Sequence, residues 1–264
     1  MIFDDYQSKR VIVSGCASGI GEATARALVG FGAEVHGVDI KHARTDLASF
    51  EHIDLADPKS IENAVGKIGG HVDALFNCAA LPPMAPPLDI LKVNFLGTRL
   101  FTQRVVKLMT EGGAIVSTSS DGGFHWRSRL PLLLEFLTID SFEGGLAWYE
   151  AHQDSAGHPY SFGKEALTVW TMLQSAQLIQ RGIRINTTSP GAVQTPMLEA
   201  IEKIFPRELI DATTHIIGRR STPDEQVGPM LFLNSGNASY INGVDLAVDG
   251  GHWASHSVAG KLWG

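Results

Sequence analysis

The chain has 264 residues, of which 44% are hydrophobic and 19% charged, and its formal net charge is −7. This length and apolar content are typical of one large α/β unit and exclude extended disorder. The negative charge argues against nucleic acid as a partner, because neutralising phosphates takes clustered lysine and arginine. The two cysteines, Cys16 and Cys78, exclude a disulfide framework, and neither has the spacing of a metal ligand.

The N-terminus and the hydropathy pattern bear on location. The first ten residues, MIFDDYQSKR, are acidic and polar, unlike a signal or transit peptide. No apolar run approaches the ~18 residues that a membrane-spanning helix needs. We therefore expect a soluble cytoplasmic protein with no membrane partner and no bound metal.

Short apolar runs alternate with helical patterns along the chain. Helices are predicted at 20–32, 57–68, 90–109 and 159–180, with Asp57 as the N-cap of the second and Pro58 at its first position. Continuous apolar strands between helices predict a parallel sheet covered on both faces, the doubly wound Rossmann-type fold. No repeat or linker divides the chain, so residues 1–264 are expected to form a single domain. The predicted strands are 10–15, 33–40, 50–55, 72–79, 113–120, 182–190 and one within 241–251.

One connection is far longer than the others. Connections in α/β units usually take about 2–6 residues, whereas residues 121–158 separate a predicted strand from the next long helix. Two stretches of this insertion, 130–139 and 141–152, have a helical pattern, and a capping serine opens the second. We predict a helical insertion that covers the substrate mouth, a partner subunit or both. Its expected buried side chains are Leu132, Leu133, Phe136 and Trp148.

A glycine-rich turn follows the first predicted strand. In SGCASGIG, Gly15, Gly19 and Gly21 are spaced G-x-x-x-G-x-G, and a helix follows. Glycines there allow a tight turn and let the backbone approach a pyrophosphate, which binds at the free N–H groups of a helix N-terminus. The pattern predicts a dinucleotide-binding site.

The residue at the end of the second predicted strand bears on which dinucleotide binds. A carboxylate at Asp39 can accept both ribose hydroxyls of NAD and would repel the 2′-phosphate of NADP. Lys41 and Arg44 follow it and could soften that preference. We therefore predict NAD as the cofactor.

The segment HPYSFGKEAL, residues 158–167, has Tyr160 four positions before Lys164, so the two share one helix face. A phenol of pKa ~10 is a weak base near neutral pH unless its anion is stabilised. A neighbouring ammonium favours the phenolate, so Lys164, aided by the positive charge of the oxidised nicotinamide, is expected to lower the pKa of Tyr160. A serine hydroxyl such as that of Ser120 would hold the substrate oxygen within reach. The pair predicts proton transfer during oxidation of an alcohol.

In their order along the chain, these motifs resemble the short-chain dehydrogenase/reductase family. The resemblance covers about residues 8–252 and is strongest toward its bacterial 3α-hydroxysteroid dehydrogenase/carbonyl reductase group, which also has an insertion between the catalytic serine and tyrosine. The family's usual NNAG reads NCAA here, with Cys78 and Ala80 in place of an amide and a glycine. Besides the glycine-rich turn and Asp39, the matching segments are DL (54–55), NCAA (77–80), KVN (92–94), STSS (117–120), YSFGK (160–164), SPGAVQTPM (189–197) and VDGG (248–251).

The resemblance implies a role for each matching residue. Tyr160 would be the general acid/base, with Lys164 as its activator and a ligand of the nicotinamide ribose. Ser120 would hold the substrate oxygen, and Asn94 would complete a proton relay. Asp54 and Leu55 would meet the adenine, Asn77 would flank the adenosine pocket, and Val193 and Thr195 would contact the nicotinamide amide. The full implied cofactor-binding set is Gly15, Ser18, Gly19, Ile20, Gly21, Asp39, Asp54, Leu55, Asn77, Tyr160, Lys164, Val193 and Thr195.

These features together predict an NAD(H)-dependent oxidoreductase that interconverts a secondary alcohol and its ketone. Residues 196–210 and the insertion's Leu and Trp side chains are expected to form a roomy apolar pocket. A steroid would suit it, as would an aromatic or alicyclic secondary alcohol of a catabolic pathway. From another class, a non-catalytic NAD-sensing protein should lack at least one of the four catalytic residues. The resemblance also implies a homodimer or homotetramer.

Overall fold

Seven strands form one sheet in the computed structural model, which describes residues 4–259. All neighbouring pairs are parallel, and the order across the sheet is β3-β2-β1-β4-β5-β6-β7, which confirms the predicted doubly wound sheet. The third strand is shorter than predicted, and the fifth begins four residues before the predicted start at 113. The strands are β1 (Arg10–Ser14), β2 (Glu34–Asp39), β3 (Ser49–His52), β4 (Val72–Asn77), β5 (Met109–Thr118), β6 (Arg184–Pro190) and β7 (Asp245–Val248).

Helices occupy the connections between strands, as the sequence pattern predicts. The carboxylate of Asp57 accepts the Lys59 N–H at 2.9 Å and so caps the second helix. The predicted helix 90–109 is broken by a π-helical turn at Lys92–Gly97. Within residues 4–259, no helix has the length and apolar character that crossing a bilayer requires. The α-helices are α1 (Gly19–Gly30), α2 (Pro58–Ile68), α3 (Pro87–Leu91), α4 (Thr98–Val106), α5 (Leu130–Leu137), α6 (Phe142–Ala151), α7 (Gln153–Ala156), α8 (Pro159–Leu178), α9 (Pro196–Glu202), α10 (Arg207–Asp211), α11 (Pro223–Asn234) and α12 (His252–Val258).

The sheet separates two hydrophobic cores. Ile12, Leu75 and Ile115 point into the core beneath α2, α4 and α8. Val13 and Phe76 point to the opposite face, beneath α1 and α11. Because successive side chains of a strand face opposite sides, burial of both faces requires strands that are apolar throughout. This explains the continuous apolar runs in the sequence.

The insertion packs on its own chain. Leu133 and Phe136 of α5 are fully buried, and the ring of Phe136 lies 5.0 Å from that of Phe162 on α8 and 5.4 Å from that of Phe95. Trp148 and its neighbours on α6 cover the same cluster and are partly buried. The apolar face of the insertion therefore packs against α8 and the π-helical turn of the same chain, and the expectation that it covers the substrate mouth is wrong. Whether the insertion also contacts a partner subunit stays a prediction.

Two arginines fasten the insertion to the rest of the fold. Arg99 of α4 donates to the carbonyl oxygens of Ile139 at 2.8 Å and Asp140 at 3.1 Å, between the two insertion helices. Arg129, at the start of α5, lies 3.1 Å from the carboxylate of Glu165 on α8. The Glu165 side chain is only 1% exposed. Burial raises its pKa to about 7, although the guanidinium of Arg129 opposes this rise.

Glu165→Gln is expected to change how stability depends on pH. The pKa of Glu165 rises from 4.5 to about 7 on folding, so between these values the folded protein keeps a proton that the unfolded chain has released. Raising the pH through this window therefore destabilises the native protein, by about 1.4 kcal/mol for each unit of pKa difference. Glutamine does not titrate, so the variant should gain about 3 kcal/mol relative to wild type between pH 4 and pH 8. Urea denaturation across this range measures the difference, and a pH-independent value would contradict the prediction.

Candidate active site

A cavity of about 760 Å³ opens at the carboxyl ends of the strands. The strand order reverses between β1 and β4, and open α/β sheets bind their ligands at such a switch point. Within residues 4–259, no group of three or more His, Cys, Asp and Glu side chains is arranged to hold a metal ion. The predicted site residues that line the cavity are Gly15, Ser18, Gly19, Ile20, Asp39, Asp54, Leu55, Ser120, Tyr160, Lys164, Val193 and Thr195.

The glycine-rich turn forms one end of this cavity. Gly15 and Gly19 have φ angles of +72° and +58°, which residues with a Cβ rarely adopt. A Cβ on Gly15 would lie 2.6 Å from the backbone nitrogen of Ala79. Gly21 does not line the cavity. A Cβ there would lie 2.1 Å from the carbonyl oxygen of Gly15, so this glycine allows α1 to pack closely on the turn. The turn is shaped to bring backbone against a phosphate group at the start of α1.

Asp39 is held beside this turn. One carboxylate oxygen accepts the Ala17 N–H at 3.0 Å, and the other accepts the Lys41 N–H at 2.8 Å. Both donors are backbone groups, so the carboxylate is oriented by the main chain rather than by a mobile side chain. Asp39 is therefore suited to accept hydrogen bonds from a ribose that lies next to the glycine-rich turn.

Ser120, Tyr160 and Lys164 meet at one wall of the cavity. The hydroxyl of Tyr160 lies 3.5 Å from the Oγ of Ser120. The Nζ of Lys164 lies 5.9 Å from the centre of the Tyr160 ring and donates to the carbonyl oxygen of Thr118 at 2.7 Å. Helix α8 begins at Pro159, so the phenol and the ammonium lie one turn apart on one face. The i, i+4 spacing thus places the Lys164 ammonium next to the Tyr160 ring, as the sequence predicts.

Burial dominates the electrostatics of the pair. Burial raises the pKa of Tyr160 to about 12, and the hydrogen bond with Ser120 opposes this only in part. Burial also lowers the pKa of Lys164 to about 8. Desolvation of the phenolate is therefore the largest effect on the pKa of Tyr160 among the protein's own groups. That Lys164 and a bound oxidised nicotinamide together favour the phenolate stays a prediction.

Two predicted asparagines lie behind the cavity wall. The side-chain amide of Asn77 donates to the hydroxyls of Thr102 at 2.9 Å and Ser117 at 3.0 Å. It ties α4 to the sheet, and that Asn77 flanks the adenosine pocket stays a prediction. Asn94, in the π-helical turn, accepts the N–H of Leu81 at 2.7 Å and donates to its carbonyl oxygen at 3.0 Å. Since Leu81 lines the cavity, Asn94 fixes the wall from behind.

The substrate end of the cavity is apolar. The region after Thr195 supplies one side through α9, α10 and the residues between them, as predicted. The loop after β4 supplies the other side. The predicted contribution of the insertion is absent, since none of residues 122–158 lines the cavity. The apolar lining residues are Leu81, Pro82, Pro83, Val93, Met197, Leu198, Ala200, Ile201, Phe205, Leu209 and Ile210.

The sequence interpretation missed Asp121, which follows Ser120 directly and also lines the cavity. Its carboxylate accepts the hydroxyl hydrogen of Ser120 at 2.9 Å. Burial raises the pKa of this carboxyl, and His252 opposes the rise. The available signal was an acidic residue immediately after the apolar strand that ends in STSS.

Comparisons with known proteins agree with this geometry. Residues 9–131 match the family described as short chain dehydrogenase, and residues 145–252 match the one described as enoyl-(acyl carrier protein) reductase. The chain is 35% identical to a coniferyl-alcohol dehydrogenase from Pseudomonas sp., over 92% of this chain and 96% of that one. It is 29% identical to the 3-alpha-hydroxysteroid dehydrogenase/carbonyl reductase of Comamonas testosteroni, over 91% and 95% of the two chains.

Solved structures of a dehydrogenase and a reductase are also similar to this chain. The 3-alpha-hydroxysteroid dehydrogenase from Pseudomonas sp. B-0831, solved with NADH, is similar with a TM-score of 0.79 and 28% identity, over 95% of this chain and 98% of that one. Levodione reductase is similar with a TM-score of 0.74 and 25% identity, over 94% and 99%. The resemblance to the hydroxysteroid dehydrogenase group is thus confirmed. The chain belongs to the short-chain dehydrogenase/reductase family and is an oxidoreductase of alcohols and ketones that uses NAD or NADP.

Proposed function

We propose that this enzyme uses NAD(H) to interconvert a secondary alcohol and its ketone on a bulky apolar substrate. The observation that carries the proposal is the meeting of Ser120, Tyr160 and Lys164 on a cavity that also holds Asp39 and an apolar wall. A proton-transfer group, a dinucleotide-binding turn and an apolar surface then share one continuous space. Such a space suits transfer of a hydride between a cofactor and an alcohol carbon.

Tyr160 is the proposed acid and base. With a pKa raised to about 12, its phenol is protonated near neutral pH and is ready to donate to a ketone oxygen. Lys164, with a pKa near 8, is mostly charged at neutral pH and favours the phenolate that alcohol oxidation needs. Oxidised nicotinamide, when bound, supplies the hydride acceptor and a second positive charge. Ser120 holds the substrate oxygen beside the Tyr160 hydroxyl.

The residues around the cavity fit a dinucleotide. The positive φ angles of Gly15 and Gly19 shape a turn whose backbone N–H groups would bind a pyrophosphate at the start of α1. Asp39 would hold the adenosine ribose, while Asp54 and Leu55 would meet the adenine. The other residues proposed to bind the cofactor are Ser18, Ile20, Tyr160, Lys164, Val193 and Thr195. Asn77 would flank the adenosine pocket, and Gly21 would support the turn by letting α1 pack closely on it.

Asp39 is expected to set the preference for NAD over NADP. Its carboxylate would repel a 2′-phosphate, so kcat/KM with NAD should exceed that with NADP by at least ~10-fold, on the order of 1.4 kcal/mol. Asp39→Ala should narrow this ratio. Asp46→Ala removes an equal charge outside the cavity and should leave it unchanged. Steady-state kinetics with both cofactors measure the effect, and equal use of both by the unmutated enzyme would overturn the assignment.

Two substrate classes suit the apolar wall, and a panel of substrates separates them. The similarity to 3-alpha-hydroxysteroid dehydrogenase/carbonyl reductase favours a hydroxysteroid. The similarity to coniferyl-alcohol dehydrogenase favours an aryl alcohol. Initial rates with NAD on 3α-hydroxysteroids, aryl alcohols and alicyclic alcohols would rank them by kcat/KM. NADH binding in a calorimeter with no turnover on any of them would instead indicate a non-catalytic sensor.

We also propose that the enzyme assembles as a homodimer or homotetramer. The proposal rests on the family resemblance, since the apolar face of the insertion is covered within the single chain. Sedimentation velocity at several protein concentrations measures the assembly directly. A monomer at all concentrations would contradict it.

A further inference from the structure

The hydrogen of the Ser120 hydroxyl already has a partner within the protein. Ser120 Oγ donates to Oδ1 of Asp121 at 2.9 Å and accepts the Gly122 N–H at 3.1 Å. The hydroxyl of Tyr160 lies 3.5 Å from the same oxygen, with Tyr160 as the donor. A serine hydroxyl has one hydrogen and two acceptor positions, so these partners account for all three until a substrate oxygen displaces one of them. The bonds all run in one direction, from Tyr160 through Ser120 to Asp121.

Asp121 ends this chain of hydrogen bonds as a carboxylate in a desolvated position. Because burial raises its pKa, it accepts a proton more readily than an ordinary aspartate does. Its charge also disfavours the Tyr160 phenolate. The two groups are therefore coupled, and a proton on Asp121 makes the phenolate easier to form.

Beyond Asp121 lies a cluster of histidines that the sequence interpretation left without a role. His252 at the start of α12 interacts electrostatically with Asp121, and its buried Nδ1 has no hydrogen-bond partner. The ring of His256 lies 4.2 Å from that of His252, and His215 lies 6.0 Å from both. Asp249, the other charged group facing Asp121 from this side, raises the pKa of Asp121. A series of titratable side chains thus leads from Asp121 to His252 and on to His256.

We propose that Asp121 is the proton acceptor at the end of a path from Tyr160 through Ser120, and that this path restores the Tyr160 phenolate during alcohol oxidation. The hydroxyl proton of the alcohol first moves to the Tyr160 oxygen. The O–H bond of Tyr160 then breaks as its proton moves to Ser120 Oγ, while the hydrogen of Ser120 moves to Oδ1 of Asp121. Tyr160 is again a phenolate and Asp121 is neutral until its proton leaves toward His252. The inference rests on the proposed role of Tyr160.

Asp121→Asn tests the proposal, because the amide oxygen can still accept the Ser120 hydrogen bond but cannot take up a proton. The expected result is a fall in kcat for alcohol oxidation of about 10-fold, with KM and NADH affinity changed less than about 2-fold. In wild type, kcat should fall at acid pH as Asp121 becomes protonated, and this fall should be absent in the variant. Asp121→Glu should restore turnover. Asp154→Asn, an exposed carboxyl outside the cavity, is the matched control.

Asp121→Ala adds a second readout that a structural role would not produce. Formate or acetate, supplied at increasing concentration, should restore part of its lost turnover by acting as the missing carboxylate. An Asp121→Asn variant with normal kcat and an unchanged pH profile would overturn the proposal, as would loss of turnover that neither Glu nor formate restores. Tyr160→Phe separates this outcome from failure of the proposed function, since that variant loses turnover only if Tyr160 is the acid/base.

Discussion

Replacing Tyr160 by phenylalanine is expected to lower kcat by ~10²-fold or more, with little change in the affinity for NADH. The substitution removes one oxygen and keeps the ring, which lies so near Gly122 that a Cβ there would be 3.3 Å from it. Among residues 4–259, the hydrogen-bond partner of the lost hydroxyl is Ser120, at 3.5 Å. Folding should therefore survive, while the group that exchanges a proton with the substrate oxygen is gone. Both reaction directions should slow together, because they share one transition state.

The measurements are initial rates with saturating alcohol or ketone, a fluorescence titration with NADH, and thermal melting. Tyr240→Phe makes the same chemical change at a fully exposed tyrosine and should leave all three unaltered. Lys164→Ala should differ from Tyr160→Phe by weakening NADH binding as well as turnover, because Lys164 is the proposed ligand of the nicotinamide ribose. A Tyr160→Phe enzyme with near-normal kcat would assign the proton transfer to another group.

Replacing Arg129 by alanine is expected to lower the free energy of unfolding by about 3 kcal/mol. The carboxylate of Glu165, only 1% exposed, would lose the guanidinium that lies 3.1 Å away. Arg129 also donates to the carbonyl oxygens of Ser155 and Ala156, and it lies over the ring of Phe162. The variant therefore leaves a buried charge and two carbonyl groups without a partner. Since Glu165 follows Lys164 on α8, loosening here should also reach the helix that carries the proposed acid/base Tyr160.

A double-mutant cycle tests this account. Arg129→Ala alone should lower Tm by roughly 6–12 °C at pH 8. In the Glu165→Gln background, Arg129→Ala should lower stability much less than it does in wild type, because no buried charge is then left unpaired. Arg207→Ala, which removes an arginine from exposed ion pairs, should change stability by less than about 0.5 kcal/mol. If Arg129→Ala costs as much stability in the Glu165→Gln background as in wild type, the two side chains are not coupled and the insertion is held by other contacts.

Local patterns in the sequence were sufficient to predict much of this molecule. The alternation of apolar strands and helices predicts the parallel sheet, since both faces of each strand must be buried. The cap at Asp57 and the shared face of Tyr160 and Lys164 follow from residues two to four positions apart, which a helix brings together whatever surrounds it. The glycine spacing indicates the dinucleotide turn because all three glycines lie within seven positions directly after the first strand. Asp39 can be assigned to the same site because it ends the next strand along the chain.

Contacts between distant segments were decided only by the tertiary structure. An apolar periodicity predicts that Leu133 and Phe136 must be covered, but not that Phe162 and Phe95 of the same chain cover them. The side chain of Asn77 bonds Thr102 and Ser117, residues 25 and 40 positions away along the chain, and no local pattern predicts these partners. The raised pKa of Tyr160 follows from desolvation, which depends on everything packed around a group rather than on its neighbours in sequence.

The sequence by itself thus determined the fold class, the glycine-rich turn and the Tyr160–Lys164 pair, because these depend on short-range geometry. Only the tertiary structure decided what the insertion packs against and how each group titrates. It also joined Tyr160 to Asp121 through Ser120, although α8 and the end of β5 are separated along the chain by the whole insertion. Burial and hydrogen bonding are set by three-dimensional neighbours, and no local pattern encodes which distant residues those will be.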